Sequence, residues 1–291
     1  RTAPYPTLTC AQRENAPLTG GSQAYFTTPD SVYALDAASG GVSWRCQNPL
    51  GGVVTGGAPA LVAGVLYVES RDGYVYAIRA DNAAILWRAD VGGRGVDTTQ
   101  KPSVAPIVAD GLVFGVNGAG RVYALRASDG ARAWSGAIAP PLASPAQTLL
   151  LADGAVIYPA LFPNYEMTAL DERTGRTLWQ SPDHYNFEAF TNRYVPMMVA
   201  QGVLYDEEVS AQTRNPYLVA RGITDGTIRW RYLLLATGKL AVVSDFTVAN
   251  GVVYLEQRQP AEASATSQPT PRLVALRARD GATLWSAPAP S

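Results

Sequence analysis

Chemistry-bearing residues are scarce in this 291-residue chain, which holds one histidine, two cysteines and three methionines. With His184 the sole imidazole, no histidine-based metal set can be assembled, and no nucleophile stands visibly paired with it. No apolar run approaches the ~18 residues that a membrane-spanning helix needs. Formal net charge is −1, without a long run of one sign, so no basic face for nucleic acid or anionic lipid is advertised. Phosphate-cradling glycine loops, His-Glu-x-x-His, Gly-x-Ser-x-Gly and Asp-x-Asp-x-Asp-Gly calcium loops are all missing. Only two lysines, Lys101 and Lys239, stand among 23 basic residues, a bias that reads as genome composition rather than chemistry. Helical periodicity is absent too.

What is present is a core's worth of apolar residues, 47% of the chain, arranged as a repeat. The six tryptophans are Trp44, Trp87, Trp134, Trp179, Trp230 and Trp285. Ten residues before each lies an alanine, at Ala34, Ala77, Ala124, Ala169, Ala220 and Ala275. The six segments read ALDAASGGVSW, AIRADNAAILW, ALRASDGARAW, ALDERTGRTLW, ARGITDGTIRW and ALRARDGATLW. Each predicts a β-hairpin: a short apolar strand, a polar turn with glycine four residues before the tryptophan, and a second strand. Glycine suits that position because a tight hairpin needs positive φ there. Ala83 is the exception, and the preceding Asn82 would let the turn shift by one residue. The Asp, Ser, Thr or Asn before the glycine can bond nearby backbone and hold the turn. A second signal, such as GVLY at 64–67 and 202–205 or GVVY at 251–254, adds a strand, and a weaker run ahead of it adds another.

Each unit is thus four short antiparallel strands in ~45–55 residues, and such repetition predicts an all-β chain, a six-bladed β-propeller. Residues 1–17 form an N-terminal segment that either supplies a closing strand or belongs to a further blade; residues 18–291 are the propeller. Cys10 and Cys46 lie in the same first unit, so they are read either as a disulfide or as two unrelated thiols. A chain opening on Arg1 is expected to be a processed or trimmed product, with any signal peptide or membrane anchor upstream.

The pattern Ala-Leu-Asp-x-x-Thr-Gly-x-x-x-Trp, best preserved at 169–179, resembles the quinoprotein-type (PQQ-like) propeller repeat, over about residues 18–287. The resemblance implies that each tryptophan docks between neighbouring blades, its indole N–H bonded to a carbonyl, which agrees with a buried donor's need for a partner. That family includes pyrroloquinoline-quinone dehydrogenases and also non-enzymatic propellers, such as the assembly lipoprotein of the bacterial outer-membrane barrel machinery. The enzymes of the family have eight blades, a calcium site built from Glu, Asn and Asp, a catalytic Asp and a ring of adjacent cysteines. This chain has six repeats and no Cys-Cys pair, and no segment matches the cofactor site.

Comparison of the six copies shows where they vary. From Tyr25, Tyr67, Phe114, Ile157, Tyr205 and Tyr254 to the residue before each alanine, the intervals are 8, 9, 9, 11, 14 and 20 residues. Insertions therefore gather on one connection type, on the face that also carries the blade-to-blade crossings, and irregular loops over a rigid scaffold are where binding usually lives. Three segments stand out: 181–196, 205–217 and 256–272. The first brings His184, Tyr185, Phe187, Phe190, Arg193 and Tyr194 together, either as a partner surface or as a loop with its aromatics tucked in. The second opens on Asp206, Glu207 and Glu208, candidates for a cation or basic partner, or else ordinary solvated acids. The third, rich in Pro, Ala, Ser and Thr, reads as a mobile loop.

The expectation is a non-catalytic binding, scaffold or sensor propeller outside the cytoplasm, engaging a protein, peptide or small ligand through that face. No nucleic acid, metal or cofactor is expected. The alternative is an oxidoreductase using pyrroloquinoline quinone with Ca²⁺, or a carbohydrate-active propeller, whose paired carboxylates would have a spacing not legible in sequence.

Overall fold

A computed structural model describes residues 18–28, 31–47, 59–70, 72–93, 105–117, 119–136, 149–159, 167–181, 197–210, 213, 215–234, 243–258 and 271–288. Among them are 24 strands in six four-stranded sheets and no helix. The first sheet is β1 (Leu18–Gly20), β2 (Gln23–Thr27), β3 (Ser31–Asp36) and β4 (Val42–Gln47). The second is β5 (Ala60–Val62), β6 (Val65–Glu69), β7 (Tyr74–Arg79) and β8 (Ile85–Asp90). The third is β9 (Ile107–Ala109), β10 (Leu112–Val116), β11 (Val122–Arg126) and β12 (Arg132–Ser135). The fourth is β13 (Leu150–Ala152), β14 (Ala155–Pro159), β15 (Met167–Asp171) and β16 (Thr177–Gln180). The fifth is β17 (Met197–Ala200), β18 (Val203–Val209), β19 (Pro216–Gly222) and β20 (Ile228–Leu233). The sixth is β21 (Val243–Ala249), β22 (Val252–Arg258), β23 (Pro271–Arg277) and β24 (Thr283–Pro288).

Every sheet is a meander in sequence order, the blade of a β-propeller, and the six blades are those read from the repeats. The described residues fall into two compact units, one from Arg1–Gly118 and Leu125–Arg132, the other from Ala119–Ala124 and Ala133–Ser291. In a meander the first and third connections lie at one edge of the blade. The second connection shares the other edge with the exit from the fourth strand.

The first connection is a two-residue hairpin in blades two to six, with both residues at positive φ: Ala63-Gly64, Asp110-Gly111, Asp153-Gly154, Gln201-Gly202 and Asn250-Gly251. This is the turn whose twist matches that of the flanking strands. The third connection is held in two ways. In blades one and four an aspartate two residues after the alanine caps the turn. Asp36 Oδ1 accepts from the Ser39 N–H at 2.8 Å and Asp171 Oδ1 from the Thr174 N–H at 2.7 Å. In the others the residue before the glycine position does so, as when Asp129 Oδ1 accepts from the Ala131 N–H at 2.9 Å. The turn at Ala83 does not shift: Ala83 itself adopts φ 64°, matching Gly130 at 72° and Gly175 at 69°. Asn82 Oδ1, accepting from the Ala84 N–H at 3.0 Å, supports the strained residue from outside rather than replacing it.

The invariant alanine has a packing cause. Ala34 pairs with Tyr25 on one side and Trp44 on the other; Ala77 pairs likewise with Tyr67 and Trp87, Ala220 with Tyr205 and Trp230, and Ala275 with Tyr254 and Trp285. Cross-strand partners project to one face, so a small central side chain lets two flanking rings meet above it. The Tyr25–Trp44, Tyr67–Trp87, Tyr205–Trp230 and Tyr254–Trp285 centroids are 5.9–6.2 Å apart and tilted, a favourable aromatic geometry. All six alanines are wholly buried.

Within each unit, the tryptophan face of one blade lies under the third-connection turn of the next. The indole N–H donates to a backbone carbonyl of that turn: Trp44 to Ala80 (2.9 Å) and Trp87 to Ala127 (2.9 Å) in the first unit. In the second, Trp134 donates to Glu172 (2.7 Å), Trp179 to Ile223 (2.6 Å) and Trp230 to Ala278 (2.8 Å). The acceptor is always three residues past the alanine. Apolar clusters fill these seams, for example Tyr25, Val32, Leu66, Val68 and Ile78 in the first unit and Ile157, Met167, Trp179, Leu204 and Ile223 in the second. Trp285 differs, with 47% of its surface exposed. Cys46, on β4, packs half-buried against the first cluster, and burial raises its thiol pKa; Cys10 lies outside the described residues.

Candidate functional site

His184, Tyr185, Phe187, Phe190, Arg193 and Tyr194 lie outside the described residues, as do residues 259–270. The second candidate segment is placed, and not as a solvated loop. Blade five extends both flanking strands to seven residues, against five in β10 and β11, so much of its extra length becomes sheet. Asp206, Glu207 and Glu208 sit on β18, all buried, and residues 210–215 form the connection. The reading of these three as ordinary solvated carboxylates is thereby corrected.

Strand alternation sorts them. Asp206 and Glu208 point to the face opposite Tyr205, Ala220 and Trp230, the docking face of the blade. That opposite face also receives Arg221, paired across the ladder with Leu204, and Arg231, paired with Val219. The Arg221 guanidinium is 2% exposed. Its Nε donates to Asp206 Oδ1 and its Nη2 to Asp206 Oδ2, both at 3.3 Å, and Nη2 also reaches Glu208 Oε2 at 2.8 Å. Glu208 Oε1 accepts from Arg231 Nη2 at 3.0 Å. The remaining side of the guanidinium lies 5.7 Å from the centroid of Trp179, a cation–π distance. A charged network therefore occupies the seam between blades four and five.

Burial raises the Asp206 carboxyl above its usual range, and the attraction of Arg221, with its hydrogen bonds, acts in the opposite sense. The two-point fork of arginine onto one carboxylate, with a second carboxylate behind it, is the arrangement that offsets desolvation best. Sequence reasoning passed over Arg221, although the repeat marks it. The residue after the invariant alanine is Leu35, Ile78, Leu125, Leu170 and Leu276 in the other five copies. Asp206 likewise stands where the others carry Phe26, Val68, Gly115, Tyr158 and Leu255.

Elsewhere, several aspartates hold turns: bonds from Ser39 and Thr174 hold Asp36 and Asp171 below the usual carboxylate range. Among the described residues no group of three or more His, Cys, Asp or Glu is placed to hold a metal ion. The network described above is closed by salt bridges from Arg221 and Arg231.

Residues 29–188 and 163–291 match a family model described as outer membrane protein assembly factor BamB. The chain belongs to this BamB family of PQQ-like repeats. Solved structures agree on the fold. BamB from Moraxella catarrhalis is 17% identical with a TM-score of 0.59, the match covering 94% of this chain and 75% of that one. A computationally designed protein, Ika8, is 12% identical with a TM-score of 0.60, covering 94% and 73%. Quinohemoprotein alcohol dehydrogenase from Comamonas testosteroni is 14% identical with a TM-score of 0.58, covering 96% and 61%. No curated protein matches the sequence significantly. Membership of the BamB family and this set of neighbours establish the propeller. They span an assembly factor, a design and an enzyme, so the fold itself is neutral about chemistry.

Proposed function

We propose that this BamB-family chain is a non-catalytic binding scaffold acting outside the cytoplasm, holding a protein or peptide partner against the irregular edge of its blades. The observation that carries this reading is the match of both halves of the chain to the BamB family model. The polarity of the blade supports it. One edge is confined to tight turns, while the insertions, from 28–30 in blade one to 259–270 in blade six, gather on the other. The aromatic segment 181–196 would supply the contact surface, and aromatic residues are the usual anchors of such interfaces.

Two variants test this, one lacking residues 259–270 and one with Tyr185, Phe187, Phe190 and Tyr194 replaced by alanine. Both should unfold at the wild-type denaturant midpoint while capturing markedly less partner from an extracytoplasmic extract. Full capture by both would overturn the reading. The fold shared with a quinohemoprotein dehydrogenase sustains the rival, a dehydrogenase dependent on pyrroloquinoline quinone. Reconstitution with that quinone and Ca²⁺ separates the two: a cofactor absorption band with dye-linked alcohol or sugar oxidation would decide for the enzyme.

A further inference from the structure

The seam between blades five and six, both in the second unit, is closed a second time away from its tryptophan. Met198 on β17 pairs with Tyr205, and the row continues through Ala220 to Trp230, so Met198 stands on the docking face of blade five. Its side chain is half-buried against the cluster that holds Val203, Tyr205, Phe246 and Leu255. The thioether sulfur accepts from the backbone N–H of Val248 on β21 at 3.1 Å.

That amide is one the sheet leaves over. β21 is an edge strand of its sheet. Ala249 and Val252 flank the two-residue hairpin and exchange both ladder bonds, so Val248, opposite Val253, turns its N–H away from β22. A thioether is a weak acceptor, and this edge donor is therefore held weakly. Blade five is singular among the six described copies in offering sulfur at this register. The equivalent residues are Leu18, Ala60, Ile107, Leu150 and Thr247.

We propose that Met198 is a reversible oxidation site, taking one oxygen atom from hydrogen peroxide and holding it as a sulfoxide against the Val248 N–H. A sulfur lone pair attacks one peroxide oxygen. The S–O bond forms as the O–O bond breaks, sulfur gives up two electrons, and the departing oxygen takes the other's proton and leaves as water. Two thiols of a reductase reverse the step, yielding a disulfide and water. A polar oxygen pressed into an apolar seam ordinarily disrupts it. Here a donor already faces the sulfur, so oxidation exchanges a weak N–H···S contact for an N–H···O bond. The joint between blades five and six tightens on oxidation instead of opening.

Hydrogen exchange at the Val248 amide tests this, in a Met197→Leu chain whose other remaining methionine, Met167, is 1% exposed. Peroxide sufficient to oxidise a free methionine should add one oxygen to Met198, seen by fragment mass, and leave Met167 reduced. The Val248 amide should then exchange roughly fivefold more slowly, the equivalent of about one ordinary hydrogen bond, and regain its first rate after sulfoxide reductase treatment. Met198→Gln, which carries an amide oxygen in place of the sulfoxide's, should slow the same amide without peroxide. Met198→Leu should exchange fastest and be indifferent to peroxide. A Met198 that stays reduced would overturn the proposal. So would an oxidised Met198 with Val248 exchanging no more slowly than before, or a Met198→Gln chain that exchanges as fast as Met198→Leu.

Discussion

Replacing Arg221 by leucine restores the residue type that the other repeats carry, and a repeat consensus would score it as an improvement. The structure predicts the reverse. Arg221 is 2% exposed and its partners Asp206 and Glu208 are 0% and 1% exposed, so removing the guanidinium leaves Asp206 without its fork and takes one arginine from Glu208. Breaking a buried ion pair from one side costs about 3–5 kcal/mol. At roughly 2–3 °C per kcal/mol for a chain of this size, the thermal midpoint should fall by about 10 °C. The double variant Arg221→Leu/Asp206→Leu removes both charges of the fork and leaves Glu208 with Arg231 Nη2 at 3.0 Å. It should recover most of the loss, because well-packed apolar pairs commonly equal or exceed buried ion pairs. A double-mutant cycle by urea unfolding, followed by tryptophan fluorescence, measures the coupling directly. If Arg221→Leu alone leaves the midpoint within about 0.5 kcal/mol of wild type, the seam is hydrated and the reasoning fails.

The network also sets a pH signature: because folding raises the Asp206 carboxyl above its unfolded value, the folded state takes the proton first. Stability from this group increases as pH falls through its folded pKa and levels off below its unfolded one, and Asp206→Asn should abolish that component of the pH–stability curve. Asp171 behaves oppositely, its pKa being lowered by Thr174; its contribution is present above the unfolded pKa and is lost as pH falls through the folded one, which Asp171→Asn should flatten. Trp179→Ala should cost about 3–5 kcal/mol in denaturant unfolding because the ring is buried, while Trp285→Ala, at a ring 47% exposed, should cost clearly less. Gly40→Ala should cost about 1 kcal/mol for its left-handed backbone alone, and Gly175→Ala clearly more, since its Cβ would strike the Trp134 ring; equal losses would refute the difference.

Strand, turn and blade number were legible because each is written locally and six times over. The alanine–tryptophan offset is a hairpin's own length, and the glycine position is fixed by backbone sign rather than by anything distant. The reason for the alanine was not legible. It depends on Tyr205 and Trp230 arriving from two other strands, and only the ladder shows that both pair with Ala220. The acids of blade five misled for the same reason. Asp206, Glu207 and Glu208 in a lengthened interval look like a polar loop, and nothing in their spacing says that the insertion would be absorbed as sheet. Arg221 was the missed signal, one charged residue in a column of leucine and isoleucine. The turn at Ala83 shows a smaller limit: sequence marked the departure from glycine, whereas the backbone kept its course and accepted the strain.

The two-residue hairpins such as Asp153-Gly154 and Asn250-Gly251 have a consequence for how such a chain can change. An extra residue there would shift the strand pairing by one and turn every side chain of the strand to the wrong face. The neighbouring edge tolerates lengthening, as residues 259–270 attest. Each blade therefore has one margin of fixed length and one whose length differs among the six copies. For an experimenter the asymmetry is a handle: a dye or tether fixed to Asp153 or Asn250 sits on the margin of tight two-residue turns, away from the connections of variable length.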